Sequence, residues 1–342
     1  MIKYNPKNER LKHEYFRFLA EADGRSAATI DGIRKALLRF EEYNRLKDFS
    51  TFNREQAIGF KKYLTETKAE RSGKPLSLAT IFPTLNHLKA FFKWVAQQPG
   101  YKSKIHLPDI NYFSLTDKEN RAAKATPLKK FPTLEQIQQV IRAMPDTDEV
   151  AKRNRALIAF TITTGIRVQA MTSLKIKHVD LERSLVSQDP REVKTKFSKQ
   201  INTYFFPVGG DIQKICIDWF HYLQKEKLYG YDAPLFPRTC LKHDVNLSFQ
   251  AAGLVPEHWT TSSPIRCIFR DAFEAAGLPY YHPHSFRHTL GHLMRIYCKD
   301  IEDIQAWSLN LGHESPVTTF TSYGHMDPYR QGEVLKELSL TP

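Results

Sequence analysis

Residues 282–288 read HPHSFRH, residues 311–314 read LGHE and residues 318–325 read TTFTSYGH. His284, Arg287 and His288 stand at helix-compatible spacing, His313 follows in the second segment, and Tyr323 lies at the centre of the third. Histidines, an arginine and a tyrosine with no acidic cluster nearby suit a pentavalent phosphorus centre. They can surround it, stabilise its charge and supply a nucleophilic oxygen. Metal or hydride chemistry fits poorly, because no carboxylate set for Mg²⁺ and no Gly-rich dinucleotide loop accompanies them.

Working back from this stretch, Ser263 caps a helix with Ile265, Ile268, Phe269, Ala272 and Phe273 on one side, ending at Gly277. Residues 229–263 carry Pro, Asn and His without periodicity and read as an insertion. A helix from Asp211 to Leu228 precedes them. The only clear β region is before that: Ser184–Gln188, Glu192–Lys196 and Gln200–Val208 read as three short strands, with a turn near Phe197–Lys199. Upstream, TTGIRVQAM (163–171) ends a buried helix from Arg153 to Thr164 and presents Arg167 at the start of the next one. Thr133 and Gln136 form a capping box that opens this half of the chain.

The first hundred residues read as four helices. Leu11, Tyr15, Phe18 and Leu19 share a side of the first, and a turn follows at Asp23-Gly24. Ile30, Ile33, Leu37 and Phe40 stripe the second, with Arg34, Lys35 and Arg39 off it. Asn53 and Gln56 signal a cap for the third. Ser77 caps the fourth (Ile81, Leu85, Leu88, Phe92, Val95), in which Pro83 predicts a kink or a later start. Residues 98–130 lose periodicity and read as an interdomain linker.

Charge is unevenly placed. Residues 1–130 hold 26 Lys+Arg against 14 Asp+Glu, and the remainder 24 against 23, within a total of +13 over 342 residues. A front half carrying nearly all the excess is the footprint of a polyanion-binding module. Cys216, Cys240, Cys267 and Cys298 fall at wide spacings that suit reduced cytoplasmic thiols better than a zinc site or disulfide framework. No run long enough to span a membrane and no apolar leader core is present.

Taken in order, TGIR (164–167), the KT pair of VKTKFSK (193–199), HSFRH (284–288), LGH (311–313) and Tyr323 resemble the active-site boxes of the tyrosine recombinases, the phage integrase family, across roughly half the chain. The resemblance implies a mainly α fold. A four-helix SAM-like core-binding domain (1–100) and a linker (101–130) would precede an α+β catalytic domain (131–342) with a small three-stranded antiparallel sheet and a tail helix. It implies a site-specific recombinase that cleaves and rejoins DNA through a covalent 3′-phosphotyrosyl link, without metal, ATP or other cofactor.

The catalytic set carried over is Arg167, Lys194, His284, Arg287, His313 and Tyr323. The arginines would hold the non-bridging oxygens, and the lysine would protonate the leaving sugar oxygen. His284 would serve as base or relay near the tyrosine, and His313 would donate to the phosphate. A tyrosine hydroxyl ordinarily ionises near pH ~10, so something must take its proton or stabilise its charge. Lys196 remains an alternative to Lys194, and Tyr329 to Tyr323. The sequence departs from the family twice: Ala170 stands where a supporting Glu is usual, and the His313–Tyr323 spacing is one residue longer than the commonest.

Double-stranded recombination sites are the implied partner, bound as a homo-tetramer on paired sites and as monomer or dimer off DNA, in the cytoplasm. Arg34, Lys35, Lys89 and Lys93 are the candidate DNA contacts, and the tail helix (Val334, Leu335, Leu338) would dock on a neighbouring protomer. A first helix starting near residue 8 leaves no room for an arm-binding domain and suits a simple recombinase of a mobile genetic element. Two rival functions share the pattern: a type IB topoisomerase-like relaxing enzyme, and a DNA-binding accessory protein with remnant boxes.

Overall fold

The computed structural model describes residues 4–69, 73–124, 130–243, 249–323 and 328–337. It divides into two compact units, Met1–Pro127 and Leu128–Pro342.

In the first unit, α1 (Pro6–Glu21), α2 (Ala27–Asn44), α3 (Arg54–Glu66) and α4 (Leu78–Val95) enclose an aromatic core. Phe40 meets Phe60 edge-on at 5.1 Å and Phe52 stacks on Phe92 at 4.1 Å, geometries that add to the burial of these large apolar rings. The stripes read from the sequence are the buried faces: Ile33, Leu37 and Phe40 on α2, and Ile81, Leu85, Leu88, Phe92 and Val95 on α4. Asn53 accepts from Gln56 N as a helix cap, whereas Gln56 turns its side chain to Thr51 O, so the box is half formed. Pro83 lies within one continuous helix. The stretch expected as linker is different. Residues 107–110 form α5, Asp117–Lys124 form α6, and Ile105, Ile110 and Phe113 are buried in the aromatic core. Single apolar residues at irregular spacing pack there without any period to announce them.

In the second unit α7 (Leu134–Ala143) starts with the complete Thr133–Gln136 capping box. Next comes α8 (Glu149–Thr164), whose second half is buried throughout, and the one-turn α9 (Val168–Met171). The three-stranded antiparallel sheet has order β1 (Val179–Asp180), β2 (Leu185–Gln188), β3 (Ile201–Tyr204). Residues 192–196 are therefore not a strand. Asp189 Oδ1 accepts from Arg191 N and Asp189 O from Val193 N, folding the chain at Asp189-Pro190. Val179–Asp180 takes the third place in the sheet, pairing with Val186 and Leu185. Residues 189–200 thus form a long loop in which Lys196–Ser198 makes one 3-10 turn.

After α10 (Gly210–His221) the supposed insertion contains an antiparallel hairpin, β4 (Arg238–His243) with β5 (Phe249–Val255). It is anchored by buried Arg153, which donates to Pro237 O and Thr239 Oγ1, and by Glu149, which accepts from Leu254 N. α11 (Ser263–Ala275), α12 (Ser285–Tyr297), α13 (Ile301–Asn310), α14 (Pro316–Tyr323) and α15 (Pro328–Glu337) complete the unit. Of the expected tail stripe, Leu335 is exposed, while Leu338 and the side chain of Val334 lie outside the described residues. Among the described residues no helix is long and apolar enough to cross a membrane.

Candidate active site

The Thr164-Gly165 break has a physical cause. Gly165 sits at φ +59°, and a Cβ there would come within 2.8 Å of Leu290 Cδ1, so the position needs glycine for conformation and for space. The reversal makes Arg167 the N-cap residue of α9 and leaves Gly165 O facing α12. There Arg287, 2% exposed, collects four contacts. Its Nη1 donates to Gly165 O at 2.5 Å, and its Nη2 to Leu311 O at 2.5 Å and to His313 Nε2 at 3.2 Å. Its Nε donates to Tyr323 Oη at 2.9 Å. One buried guanidinium thus joins the TGIR turn, the HSFRH helix, the LGH loop and the tyrosine.

Tyr323 enters this cluster because α14 packs closely on α12. A Cβ on Gly291 would lie 2.4 Å from Tyr323 Cβ, so the absence of a side chain lets the helices approach. Around the phenol ring, His288 stands edge-on at 4.8 Å, His313 lies parallel at 5.5 Å and His284 is 6.3 Å away.

The electrostatics follow from crowding cations in a partly dry site. Burial, and then the neighbouring Arg287, hold Arg167 down to about 10, with Tyr323 acting in the opposite direction. The Arg167 guanidinium makes no hydrogen bond or ion pair among the described residues, so its fork is available to an anion. Burial together with Arg287, His288, His282 and Arg167 pushes His284 down to about 3. Burial, Arg287, Arg167 and Lys196 push His313 down to about 4. Both rings are neutral at physiological pH, and an arriving phosphate would relieve the cationic field that keeps them so.

The two lysine candidates bear on different histidines. Lys196 is the ammonium whose charge bears on His313, whereas that of Lys194 bears on His258. Lys199, three residues on, is ion-paired with Glu314 beside His313. The far end of β3 is fixed by Asn310, whose amide accepts from Tyr204 N at 2.6 Å and donates to Tyr204 O at 2.9 Å. Residues Arg167, His284, Arg287, His313 and Tyr323 are therefore brought together. Lys194 is exposed, held through its backbone N–H by Ser173 Oγ. The side chain of Tyr329 lies outside the described residues.

Sequence reading missed Gly291, Asn310 and the buried hydroxyls of Ser308 and Thr319 behind His313. Only Gly291 carried a signal, being a glycine inside a helical pattern. Ala170, at the place of the usual Glu, is buried and takes no polar part beyond its carbonyl, which accepts from Ser173. Among the described residues no group of three or more His, Cys, Asp or Glu is placed to hold a metal ion.

The candidate DNA contacts lie in the first unit. On α2, Arg34 is exposed over the Phe16 ring at 5.0 Å and Lys35 pairs with Asp31 at 2.7 Å. On α4, Lys89 donates to Ser114 Oγ at 3.0 Å and Lys93 is exposed.

Residues 130–330 match the phage integrase family. The tyrosine recombinase XerC of Lactobacillus delbrueckii subsp. bulgaricus is 25% identical over 251 residues, 72% of each chain. Among solved structures, a lambda integrase (75–356) dimer bound to a COC′ core site has a TM-score of 0.62 at 14% identity. That alignment covers 92% of this chain and 94% of the other. XerH bound to palindromic difH in a post-cleavage complex has a TM-score of 0.60 at 20% identity, covering 95% and 84%. With the family matched over more than half of its length, the chain belongs to the phage integrase family as a tyrosine recombinase, a DNA breaking-and-rejoining enzyme of site-specific recombination.

Proposed function

We propose that this recombinase cleaves one strand of its site through attack of Tyr323 Oη on a backbone phosphorus, expelling the 5′-oxygen of the next deoxyribose and leaving a 3′-phosphotyrosyl ester. One observation carries the reading: Tyr323 Oη rests 2.9 Å from Nε of the buried Arg287, with His313 on the same guanidinium. Arg167 and Arg287 neutralise the charge that builds on the non-bridging oxygens. His284, neutral at physiological pH, is available to take the phenolic proton as the base. Lys196 delivers a proton to the leaving oxygen, and we assign it this role in place of Lys194 because its charge reaches His313.

The ester conserves the energy of the phosphodiester, so attack by a free 5′-hydroxyl reverses the step with no cofactor. Attack by the hydroxyl of a partner duplex gives strand exchange. Two duplexes contain four strands, and each protomer brings one tyrosine. A homo-tetramer on paired sites, assembled from monomers or dimers, therefore completes the reaction. The excess positive charge of residues 1–130 supplies sequence-independent affinity. Arg34, Lys35, Lys89 and Lys93 exchange their weak surface contacts for phosphates.

The test is covalent capture. The full chain is incubated with a pool of nicked duplexes of randomised sequence, whose short cleaved end diffuses away. The wild type forms an SDS-resistant adduct that maps to Tyr323, and Tyr323→Phe binds the pool equally well without forming one. An adduct in the Phe variant, or an ester mapped to another residue, would overturn the assignment.

A further inference from the structure

We propose that Thr319, with Ser308 behind it, is a positioning residue that selects one tautomer of His313 and ties that choice to the register of the tyrosine helix. The inference deepens the phosphotyrosyl reading and rests on it. Its starting point is a chain of contacts: Arg287 Nη2 to His313 Nε2 at 3.2 Å, His313 Nδ1 to Thr319 Oγ1 at 2.6 Å, and Thr319 Oγ1 to Ser308 Oγ at 2.7 Å. Both hydroxyl residues are wholly buried.

The proton positions in this chain follow from the donor inventory. A guanidinium has only N–H donors, so His313 Nε2 must accept and carries no proton. The neutral ring then bears its proton on Nδ1, which donates to Thr319 Oγ1. Thr319 Oγ1 shares a further hydrogen bond with Ser308 Oγ, in which either hydroxyl can donate. The reverse arrangement would set an Nε2–H against the Arg287 N–H. A protonated ring would make the same clash, in keeping with the low affinity of His313 for a proton.

Thr319 precedes Tyr323 by one turn on α14, the i, i+4 relation that places both on one helix face. A shift of that helix therefore moves the nucleophile and releases Nδ1 together. In the observed register, the Nε2 lone pair is held by the Arg287 N–H. Without the Thr319 hydroxyl Nδ1–H is left with no acceptor, and the proton moves to Nε2 only as that nitrogen gives up its contact with Arg287 Nη2.

The tautomer is read directly in the full-length chain labelled with ¹⁵N-histidine, using two-bond ¹H–¹⁵N correlations and His313→Gln for assignment. We expect an unprotonated Nε2 in the wild type and in Thr319→Ser, and protonation shifting onto Nε2 in Thr319→Val. Single-turnover adduct formation on the nicked duplex pool should fall roughly 10–100-fold in Thr319→Val and recover to within about threefold in Thr319→Ser, the scale at which partners behind a functional histidine act. An unprotonated Nδ1 in the wild type overturns the proposal even if Thr319→Val does not fold. So does a Thr319→Val variant with unchanged tautomer and rate, or a Thr319→Ser variant as impaired as Thr319→Val. A wild type with the expected tautomer that forms no adduct sinks the phosphotyrosyl reading and leaves the relay standing.

Discussion

Nε of Arg287 and Oη of Tyr323 are hydrogen-bonded at 2.9 Å, so the cation and the nucleophile that a phosphorus centre must join are already in contact. The same guanidinium holds Gly165 O and Leu311 O, which gives Arg287 a part in the fold as well as in the chemistry. Arg287→Lys keeps the charge but loses the planar fork. Adduct formation should drop roughly 100–1,000-fold. Leaving buried carbonyls unpaired should also cost about 2–3 kcal/mol of stability. A variant that lost activity with unchanged urea unfolding would show that the two buried carbonyl contacts contribute nothing.

The lysine assignment predicts a chemical rescue. Lys196→Ala should slow cleavage roughly 100–10,000-fold, the usual range for loss of a general acid, while Lys194→Ala stays close to wild type. A substrate with sulfur at the bridging 5′ position leaves as a thiolate and needs no proton. On it Lys196→Ala should regain most of its rate. Equal defects on both substrates would place Lys196 in binding, and a defect confined to Lys194→Ala would return the role to that residue.

These assignments show which parts of the molecule could be read before folding. The TGIR, HSFRH and LGH boxes were legible because each sits at a turn or helix start with local rules. Thr164-Gly165 demands a left-handed residue, and HSFRH opens a helix at His284 with three polar side chains on adjacent turns. The lysine register was not legible. VKTK has strand character, but the Asp189-Pro190 turn upstream overrides it, and the loop is held by a contact distant in sequence, Lys199 with Glu314. Residues 105–113 and the β4–β5 hairpin escaped for the same reason. Phe113 is buried by partners from α2, α3 and α4, and the hairpin hangs on Arg153, 84 residues before its carbonyl acceptor Pro237.

Close helix approach gives the next test. Gly291→Ala inserts a methyl group where Tyr323 Cβ would be 2.4 Å away. Relief requires α14 to move, at a cost of roughly 1–3 kcal/mol. Because α14 carries the nucleophile, adduct formation should fall further than the stability loss explains, with DNA binding by gel shift unaltered. An active Ala variant would mean that α14 moves off α12 before cleavage.

A pH experiment isolates His313. The ring is 8% exposed and held at about 4 by burial and its cationic neighbours, against an ordinary value of 6.5. Below 6.5 the unfolded chain binds a proton that the folded chain refuses. Stability is therefore present in full above 6.5 and is lost as pH falls towards 4. Between pH ~6.5 and pH ~5 the loss from this one group is about 2 kcal/mol. His313→Gln has nothing to titrate there, so urea unfolding followed by tryptophan fluorescence should show the wild type losing about 2 kcal/mol more than the variant across that interval. Other histidines, His284 among them, contribute to both proteins and cancel in the difference. Parallel pH dependence in the two would mean that His313 protonates as readily in the folded chain as in the unfolded one, and that its contact with Arg287 does not hold it neutral.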